Sequence, residues 1–333
     1  MSELRQNMVT KDWVIIASER KRRPEEFAAE PRVLTGQRVF HEPTCPFCPG
    51  NEEQALEILR LPKTGPWQMR VLRNKYPALS SEGERDRTFD GVHRRMSGVG
   101  YHEVLIESPV HNTCPALETP EQITSMLELF RDRGRYIAQD SRIEHLIYFK
   151  NHGVRAGTSM VHPHTQMIGL PIVPNDIRAR IEEARRYMDD TGHCVFCKML
   201  EDEIQAATRI IIQGTHFVAF IPYASFSPFH MWIVPRRHET SFLDATYVEL
   251  ADLGEVLHRV LRKLYIGLRD PDYNYIIRSA PLRDRSQEYL HWYLTIVPRV
   301  SLAAGFELGS GMFINPTLPE ESAAFLRSVN ENT

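Results

Sequence analysis

The segment His162-Pro163-His164-Thr165-Gln166 determines how the rest of the chain is interpreted. In an extended segment, side chains at i and i+2 point to the same face, so both imidazoles and the Gln166 amide would share one surface. A histidine can attack a phosphorus atom, and a neighbouring amide can donate hydrogen bonds to the phosphate oxygens. The stretch from Asn151 to Ser159 supplies small and polar residues that let a phosphate approach the backbone. The alternative interpretation is a partly buried histidine pair with a purely structural place in a strand.

The cysteines form a second pattern. Four of the five lie in two Cys-x-x-Cys pairs, Cys45–Cys48 and Cys194–Cys197, and Cys114 is left over. The polar N-terminus does not resemble a signal peptide, and no apolar run approaches the length that spans a bilayer. We therefore expect a cytoplasmic, reducing setting, where paired cysteines bind metal or do redox work more often than they form disulfides. The proline-rich loop around Cys45 is typical of a zinc knuckle and not of a thioredoxin-like motif.

Each knuckle needs two further ligands to complete a tetrahedral zinc site. A single ribbon built from all four cysteines is disfavoured, because the two pairs stand far apart in the chain. Two Cys2His2 sites fit better, with His111 and His162 as candidates for the first and His238 and His291 for the second. Two thiolates with two imidazoles and no carboxylate favour zinc over iron. We expect two structural zinc ions per chain, and the repeated order of knuckle, histidine and histidine implies an internal repeat.

Apolar periodicity predicts an α+β fold in which both halves follow the order strand, strand, helix, strand, strand. A helix is predicted at about 120–138, with Thr119 as its N-cap and Pro120 at its first position. The matching helix of the second half is predicted at about 243–268, and a solvated connecting helix at 175–190. The predicted strands are 13–17, 69–72, 102–107, 146–150 and 166–172 in the first half, and 217–221, 231–234, 273–278 and 292–297 in the second.

Composition sets the outer limits. The chain has 333 residues, 42% apolar and 25% charged, with a formal net charge of −3. These values are ordinary for a globular protein and give no reason to expect nucleic acid or an acidic membrane as a partner. The one basic run, from Arg20 to Arg23, is interpreted either as a solvated face or as a phosphate clamp.

Taken together, these motifs carry a resemblance to a known family. The order Cys-x-x-Cys, Ser-Pro-x-His and Asn…Gly-x-Ser-x-x-His-Pro-His-x-Gln resembles the galactose-1-phosphate uridylyltransferase family, from about Leu4 to Ser310. That family is a branch of the histidine-triad superfamily. The resemblance implies two histidine-triad-like halves, residues 1–174 and 175–333, that form a mixed, mainly antiparallel sheet with flanking helices. It also implies a homodimer that transfers nucleotidyl groups between nucleotide sugars and sugar 1-phosphates.

The resemblance assigns expected roles to individual residues. His164 is the expected nucleophile, which forms a covalent nucleotidyl-histidine, and Gln166 is expected to hydrogen-bond the transferred phosphate. The expected substrate contacts are Asn74 near the nucleotide, Asn151 and Ser159 at the phosphate, Glu307 at the sugar hydroxyls, and Arg20 and Arg23 at the phosphates of a neighbouring subunit's ligand. For His164 to attack through Nε2, Nδ1 must donate its proton to a fixed acceptor, and the carbonyl of His162 is well placed for this. A zinc ion bound by the side chain of His162 would then steady the backbone that orients His164, without touching substrate.

Two departures from the usual family pattern bear on the donor. The second metal site offers two cysteines where typical members use a glutamate and three histidines, and Lys75 follows Asn74 where they have an aspartate. Both features resemble the ADP-glucose phosphorylase relatives, which transfer AMP. Family prevalence favours UDP-glucose with galactose 1-phosphate, so the expected activity is that of a UDP-glucose:galactose-1-phosphate uridylyltransferase of galactose metabolism, and an ADP-glucose phosphorylase is the alternative. A dinucleoside polyphosphate phosphorylase or hydrolase and a zinc-stabilised binding module with a decayed site are the other classes considered. The intact His-Pro-His-x-Gln motif argues against the last.

Overall fold

One large antiparallel sheet organises the molecule. The structure is a computed structural model that describes residues 2–17, 19, 23–28 and 39–331. The strands are β1 (Glu3–Gln6), β2 (Trp13–Ile16), β3 (Glu57–Leu61), β4 (Met69–Arg73), β5 (Arg87–Asp90), β6 (His93–Met96), β7 (Tyr101–Ile106), β8 (His145–His152), β9 (His164–Leu170), β10 (Ile210–Gln213), β11 (Phe217–Phe220), β12 (Met231–Pro235), β13 (Tyr273–Arg278), β14 (Tyr293–Pro298) and β15 (Phe313–Asn315). The helices are α1 (Pro120–Ile137), α2 (Asn175–Thr191), α3 (Val195–Ala206), α4 (Tyr247–Gly267), α5 (Gly305–Ser310) and α6 (Pro319–Ser328).

The sheet contains the predicted internal repeat. Its ten strands follow the order β10-β11-β12-β14-β13-β8-β9-β7-β4-β3, and every neighbouring pair is antiparallel. Outward from the central β8–β13 pair, β9, β7, β4 and β3 correspond to β14, β12, β11 and β10. The predicted α+β class, with a mainly antiparallel sheet and flanking helices, is confirmed.

Helices α1 and α4 cover the same face of this sheet, one in each half, and they pack against each other. Thr119 and Gln122 form a capping box at the start of α1, with Pro120 at its first position, so the predicted helix start is confirmed. Helix α4 begins at Tyr247, later than predicted, because a second capping box between Thr246 and Glu249 fixes its start.

The close approach of α1 to the sheet depends on one small residue. A Cβ atom at Gly134 would lie 1.9 Å from the hydroxyl of Tyr148 on β8. A larger residue would push α1 away from the strands of the first half.

The opposite face of the sheet differs between the halves. Strands β1 and β2 pair with each other, and β2 pairs in parallel with β15, so a small sheet joins the two ends of the chain. Val14 and Ile16 of β2 pack against Ala224 of the second half. In the first half, the matching face carries the half-buried Phe149 and Gln166.

Among the described residues, none of the helices has the length and apolar character needed to cross a membrane.

Candidate functional site

The first predicted ligand set comes together. The side chains of Cys45, Cys48, His111 and His162 place their ligand atoms within 4.8 Å of one another. Cys48 Sγ lies 3.4 Å from His111 Nδ1 and 3.6 Å from His162 Nδ1. A tetrahedral zinc ion about 2.3 Å from sulfur and about 2.0–2.1 Å from nitrogen sets these atoms about 3.6 Å apart. The donor set and its spacing therefore fit a zinc ion.

The second predicted set, Cys194, Cys197, His238 and His291, also comes together. Cys197 Sγ lies 3.2 Å from His238 Nδ1 and 3.6 Å from His291 Nδ1, close to the same tetrahedral edge. Unlike the first knuckle, this one opens a helix, because Cys194 is the N-cap of α3. The sequence analysis did not predict α3.

Each buried histidine of the two Cys2His2 clusters has a fixed tautomer. His162 Nε2 donates to the carbonyl of Ser108 at 2.8 Å, and His291 Nε2 donates to the carbonyl of Pro235 at 3.1 Å. A carbonyl oxygen only accepts, so the proton is on Nε2 and Nδ1 presents its lone pair to the metal position. Burial lowers the pKa of His162 to about 4, which also favours the neutral ligand form.

His164 begins β9 and has the orientation that the sequence predicted. Its Nδ1 donates to the carbonyl of His162 at 2.8 Å, so Nε2 is left with the lone pair. The imidazole is buried, and burial lowers its pKa, so the neutral form predominates at neutral pH. The ring of Phe47 lies edge-on to the rings of His162 and His164, with centroid distances of 6.0 and 5.6 Å. The loop that carries Cys45 and Cys48 thus packs directly against the candidate nucleophile.

A cavity of about 360 Å³ opens beside His164. Its lining includes Asn151, Gly153 and Thr158 from the segment that the sequence analysis expected at a phosphate. Asn151 Oδ1 accepts a hydrogen bond from Asn274 Nδ2 at 2.8 Å, and Asn274 Nδ2 also donates to the carbonyl of Ala156 at 2.9 Å. Because its oxygen is engaged, Asn151 has its NH2 group available for an anion. Sequence reasoning missed Asn274, and only its strand partner across the β8–β13 junction reveals its role.

A buried ion pair supports the backbone of His164. Lys150 Nζ lies 2.7 and 2.8 Å from the two carboxylate oxygens of Glu107, and it donates to the carbonyl of His164 at 3.3 Å. The Lys150 side chain is 1% exposed and that of Glu107 is 5% exposed. Burial removes the hydration of both charges, which is unfavourable. The attraction between the two charges and their hydrogen bonds offset this cost.

Gln166 is bonded to a residue that the sequence analysis did not single out. His102 Nε2 lies 2.8 Å from Gln166 Oε1, and His102 Nδ1 accepts from the backbone N–H of Ala78 at 3.1 Å. Asn74 and His102 both line a second cavity, of about 730 Å³. Lys75 Nζ, at the same cavity, pairs with Glu53 at 2.6 Å.

Among the remaining predicted substrate residues, those that the structure describes do not line the cavity beside His164. Ser159 is exposed, and Arg23 is exposed at the start of a short turn. Arg20 lies outside the described residues. Glu307 caps its own helix by accepting from the backbone N–H of Ala304 at 2.9 Å, and it lines a separate small cavity. Their expected substrate contacts stay predictions.

Comparisons with known proteins agree with this arrangement. Residues 1–174 match the sequence model of the N-terminal domain of galactose-1-phosphate uridyl transferase. The chain is 38% identical over 335 residues to the ADP-glucose phosphorylase of Arabidopsis thaliana, which covers 98% of this chain and 93% of that protein. It is 28% identical over 337 residues to the galactose-1-phosphate uridylyltransferase of Thermotoga maritima, with 98% of both covered. The crystal structure of an ADP-glucose phosphorylase from Arabidopsis thaliana with bound ADP-glucose has a TM-score of 0.83, at 35% identity over 99% of each chain.

Proposed function

The chain belongs to the galactose-1-phosphate uridylyltransferase family, and we propose from that membership that it carries a nucleotidyl group from a nucleotide sugar to an acceptor phosphate through His164. It is a nucleotidyltransferase that acts on hexose 1-phosphates. The observation that carries the proposal is the hydrogen bond of 2.8 Å from His164 Nδ1 to the His162 carbonyl, which leaves the Nε2 lone pair for attack.

The reaction takes two displacements at phosphorus. In the first, Nε2 of His164 attacks the α-phosphorus, a nitrogen–phosphorus bond forms, and the bond to the sugar 1-phosphate breaks with its electron pair on the leaving oxygen. In the second, an oxygen of the acceptor phosphate attacks the same phosphorus and releases the neutral imidazole. The amide groups of Gln166 and Asn151 stabilise the charge on the phosphoryl oxygens.

The donor that we propose is ADP-glucose. The relative at 38% identity and the structure with TM-score 0.83 both carry the name ADP-glucose phosphorylase, and that structure holds ADP-glucose. The Cys2His2 form of the second metal cluster and Lys75 favour the same donor. The second candidate is UDP-glucose with galactose 1-phosphate as the acceptor. It is supported by the family match over residues 1–174 and by a uridylyltransferase relative that aligns over 98% of the chain.

We further propose that both clusters hold zinc and that the metal has a structural role. The four thiols of the two clusters must stay reduced to bind it, which supports a cytoplasmic setting. Cys45, Cys48, His111 and His162 would hold the first zinc ion. The bound ion would fix the position of His162, whose backbone carbonyl accepts the hydrogen bond from His164 Nδ1. We also propose a homodimer, because Glu307, which is expected at the sugar hydroxyls, lies in a cavity separate from that of His164 and would contact a sugar bound there only from a neighbouring copy.

Intact-mass spectrometry after mixing with each donor tests the proposal. The protein should gain the mass of AMP from ADP-glucose, and a gain of UMP from UDP-glucose at a faster rate would favour the second candidate. The H164G variant should gain neither, with unchanged metal content. His152 lines the same cavity but directs its Nε2 to Asp270 at 2.7 Å, so H152A is a control that should still be labelled. Labelling of H164G would contradict the assignment of the nucleophile.

A further inference from the structure

His102 connects the loop at Asn74 to Gln166. It lies on β7, where its backbone carbonyl accepts from the N–H of Asn74 at 2.9 Å and its Nδ1 accepts from the N–H of Ala78 at 3.1 Å. Its Nε2 lies 2.8 Å from Gln166 Oε1. From this arrangement we propose that His102 is a positioning residue, which holds the Gln166 amide so that its NH2 group faces the phosphate. The inference rests on the proposed function.

The hydrogen-bond partners of His102 determine its tautomer. A backbone N–H can only donate, so Nδ1, which faces the N–H of Ala78, must carry the lone pair. His102 is then neutral with its proton on Nε2, and this N–H donates to Gln166 Oε1. The reverse arrangement, with Nδ1 protonated, would lose both bonds: it would set two N–H groups against each other at Ala78 and two lone pairs against each other at Gln166 Oε1.

The amide of Asn74 does not compete for this proton. Its Oδ1 accepts from the N–H of Tyr76 at 2.9 Å, which fixes the orientation of the Asn74 side chain. The group at 3.1 Å from His102 Nε2 is therefore the NH2 of Asn74, a donor beside a donor. Asn74 keeps its N–H groups for another acceptor, and Gln166 Oε1 is the acceptor that His102 uses.

The orientation of Gln166 follows from this bond. The oxygen and nitrogen of a primary amide project in different directions from the same carbon, so fixing Oε1 on His102 directs the NH2 group elsewhere. Gln166 stands two residues after His164 on β9 and thus shares its face. Without His102, the Gln166 amide can rotate by half a turn. Its oxygen would then face the phosphate, and this partial negative charge would repel the anion.

The second half of the molecule contains a histidine at the position that corresponds to His102, but no histidine at the position of the nucleophile. In the sheet, Val104 pairs with Gln166 and Trp232 pairs with Thr295. A histidine stands two residues before each of these β7 and β12 residues, and His230 Nε2 lies 2.8 Å from Thr295 Oγ1. The direction of this bond is opposite to that of His102, because Trp232 Nε1 donates to His230 Nε2 at 3.0 Å, which makes this nitrogen the acceptor for the Thr295 hydroxyl.

The two halves differ at the nucleophile position. Two residues after the metal ligand, the first half has His164 and the second has Tyr293. His230 is buried, whereas His102 is half-buried and opens onto the cavity at Asn74. The fold thus sets a histidine beside the corresponding strand residue in both halves, but only in the first half does that histidine donate, and only there does its acceptor stand beside a reactive imidazole.

Two substitutions separate the two bonds of His102. In H102Q, the side-chain NH2 replaces Nε2–H and keeps the donor to Gln166, while the acceptor for Ala78 is lost. In H102N, the side-chain oxygen replaces Nδ1 and keeps the acceptor for Ala78, while the donor to Gln166 is lost. Metal content and thermal unfolding of both variants establish that each one folds.

The readout is the rate of nucleotidyl-enzyme formation at saturating ADP-glucose, together with the donor concentration that gives half of that rate. We expect H102Q to keep the wild-type rate within about threefold. We expect H102N to lose about tenfold to hundredfold in rate with little change in half-saturation, a loss similar to that seen when a group that orients a catalytic-site ligand is removed. In a Q166A background, H102N should cause no further loss, because its effect passes through Gln166. Equal rates in H102N and H102Q, or additive losses with Q166A, would overturn the inference.

A second measurement does not depend on turnover. The ¹⁵N chemical shifts of the His102 ring report directly which nitrogen carries the proton, and we expect Nε2. A proton on Nδ1 would contradict the inference whatever the activity. Failure of the proposed function looks different: wild-type protein would then gain no nucleotide at all from ADP-glucose or UDP-glucose, while the ring tautomer would be unaffected.

Discussion

The buried ion pair of Lys150 and Glu107, which supports the backbone of His164, allows a direct test of how much this pair contributes to the free energy of unfolding. Replacing Lys150 with Met keeps most of the side-chain volume but leaves the carboxylate of Glu107 buried, 5% exposed, without its cation. Removing one partner of a buried ion pair costs about 3–5 kcal/mol, because the remaining charge loses both its partner and its water. The free energy of unfolding of K150M should therefore fall by that amount.

The size of the effect can be converted into a melting temperature. A per-residue unfolding entropy of about 2.1 cal/mol/K gives a fall in Tm of about 4–7 °C for a chain of this length. A double variant, K150M/E107L, should recover most of this loss, since apolar residues of similar volume replace a buried ion pair at little net cost.

Calorimetry and urea unfolding of the metal-loaded protein measure the change. K75M is a matched control, because Lys75 makes the same kind of contact with Glu53 at 2.6 Å but with side chains that are 53% and 45% exposed. Such an exposed pair contributes at most about 1 kcal/mol. A loss in K150M no larger than that in K75M, or a double variant no more stable than K150M, would refute the reasoning.

Three further predictions address other parts of the molecule. C194S should reduce bound zinc from two equivalents to one in elemental analysis and leave nucleotide labelling in place. C48S should lower both the zinc content and the labelling rate. Equal labelling rates in the two variants would contradict the proposal that the first site supports the nucleophile. N274A should lower the labelling rate by about tenfold or more, because the amide whose oxygen it holds loses its orientation, and a wild-type rate in stopped-flow measurements would remove Asn274 from the site. The hydrogen bond from Arg237 holds the pKa of Glu249 at about 2, so this carboxylate stabilises the fold above its unfolded pKa of about 4.3 and loses that contribution as the pH falls towards 2. The difference in unfolding free energy between wild type and E249Q should therefore be larger at pH 7 than at pH 3, and a difference independent of pH would speak against it.

The sequence predicted those parts of the site whose function is indicated by residue type and spacing alone. Two Cys-x-x-Cys pairs, each followed by two histidines, are typical of metal binding. Both Cys2His2 sets could therefore be predicted from the sequence, and in each set the four side chains lie together. The donor from His164 to the His162 carbonyl was also predictable, because a separation of two residues in an extended chain brings the ring and the carbonyl together. The start of α1 was visible in Thr119 and Pro120.

The residues that the sequence did not reveal act through pairing between distant strands. His102 and Asn274 are ordinary in their local sequence, and their roles arise only when β7 lies beside β9 and β13 beside β8. Aligning the two halves by their cluster histidines, His111 with His238, would have placed His102 within one residue of His230, a usable signal. For Asn274 no such signal exists, since its partner Asn151 belongs to the other half. The late start of α4 was missed because periodicity continues through the turn before Thr246.

The small sheet of β1, β2 and β15 also constrains how the molecule is made in the cell. Its first strand, β1, is synthesised about 300 residues before its last strand, β15, which ends at Asn315. At about 5–20 residues per second, the N-terminal hairpin waits on the order of tens of seconds for its third strand. The two halves, each with its own Cys2His2 cluster, can fold around their own strands during that delay, so the docking of β15 onto β2 is expected to follow the folding of both halves. A bulky tag fused to the N-terminus would stand next to that late docking event, and the yield of folded protein should be more sensitive to it than to an insertion in the exposed β5–β6 hairpin.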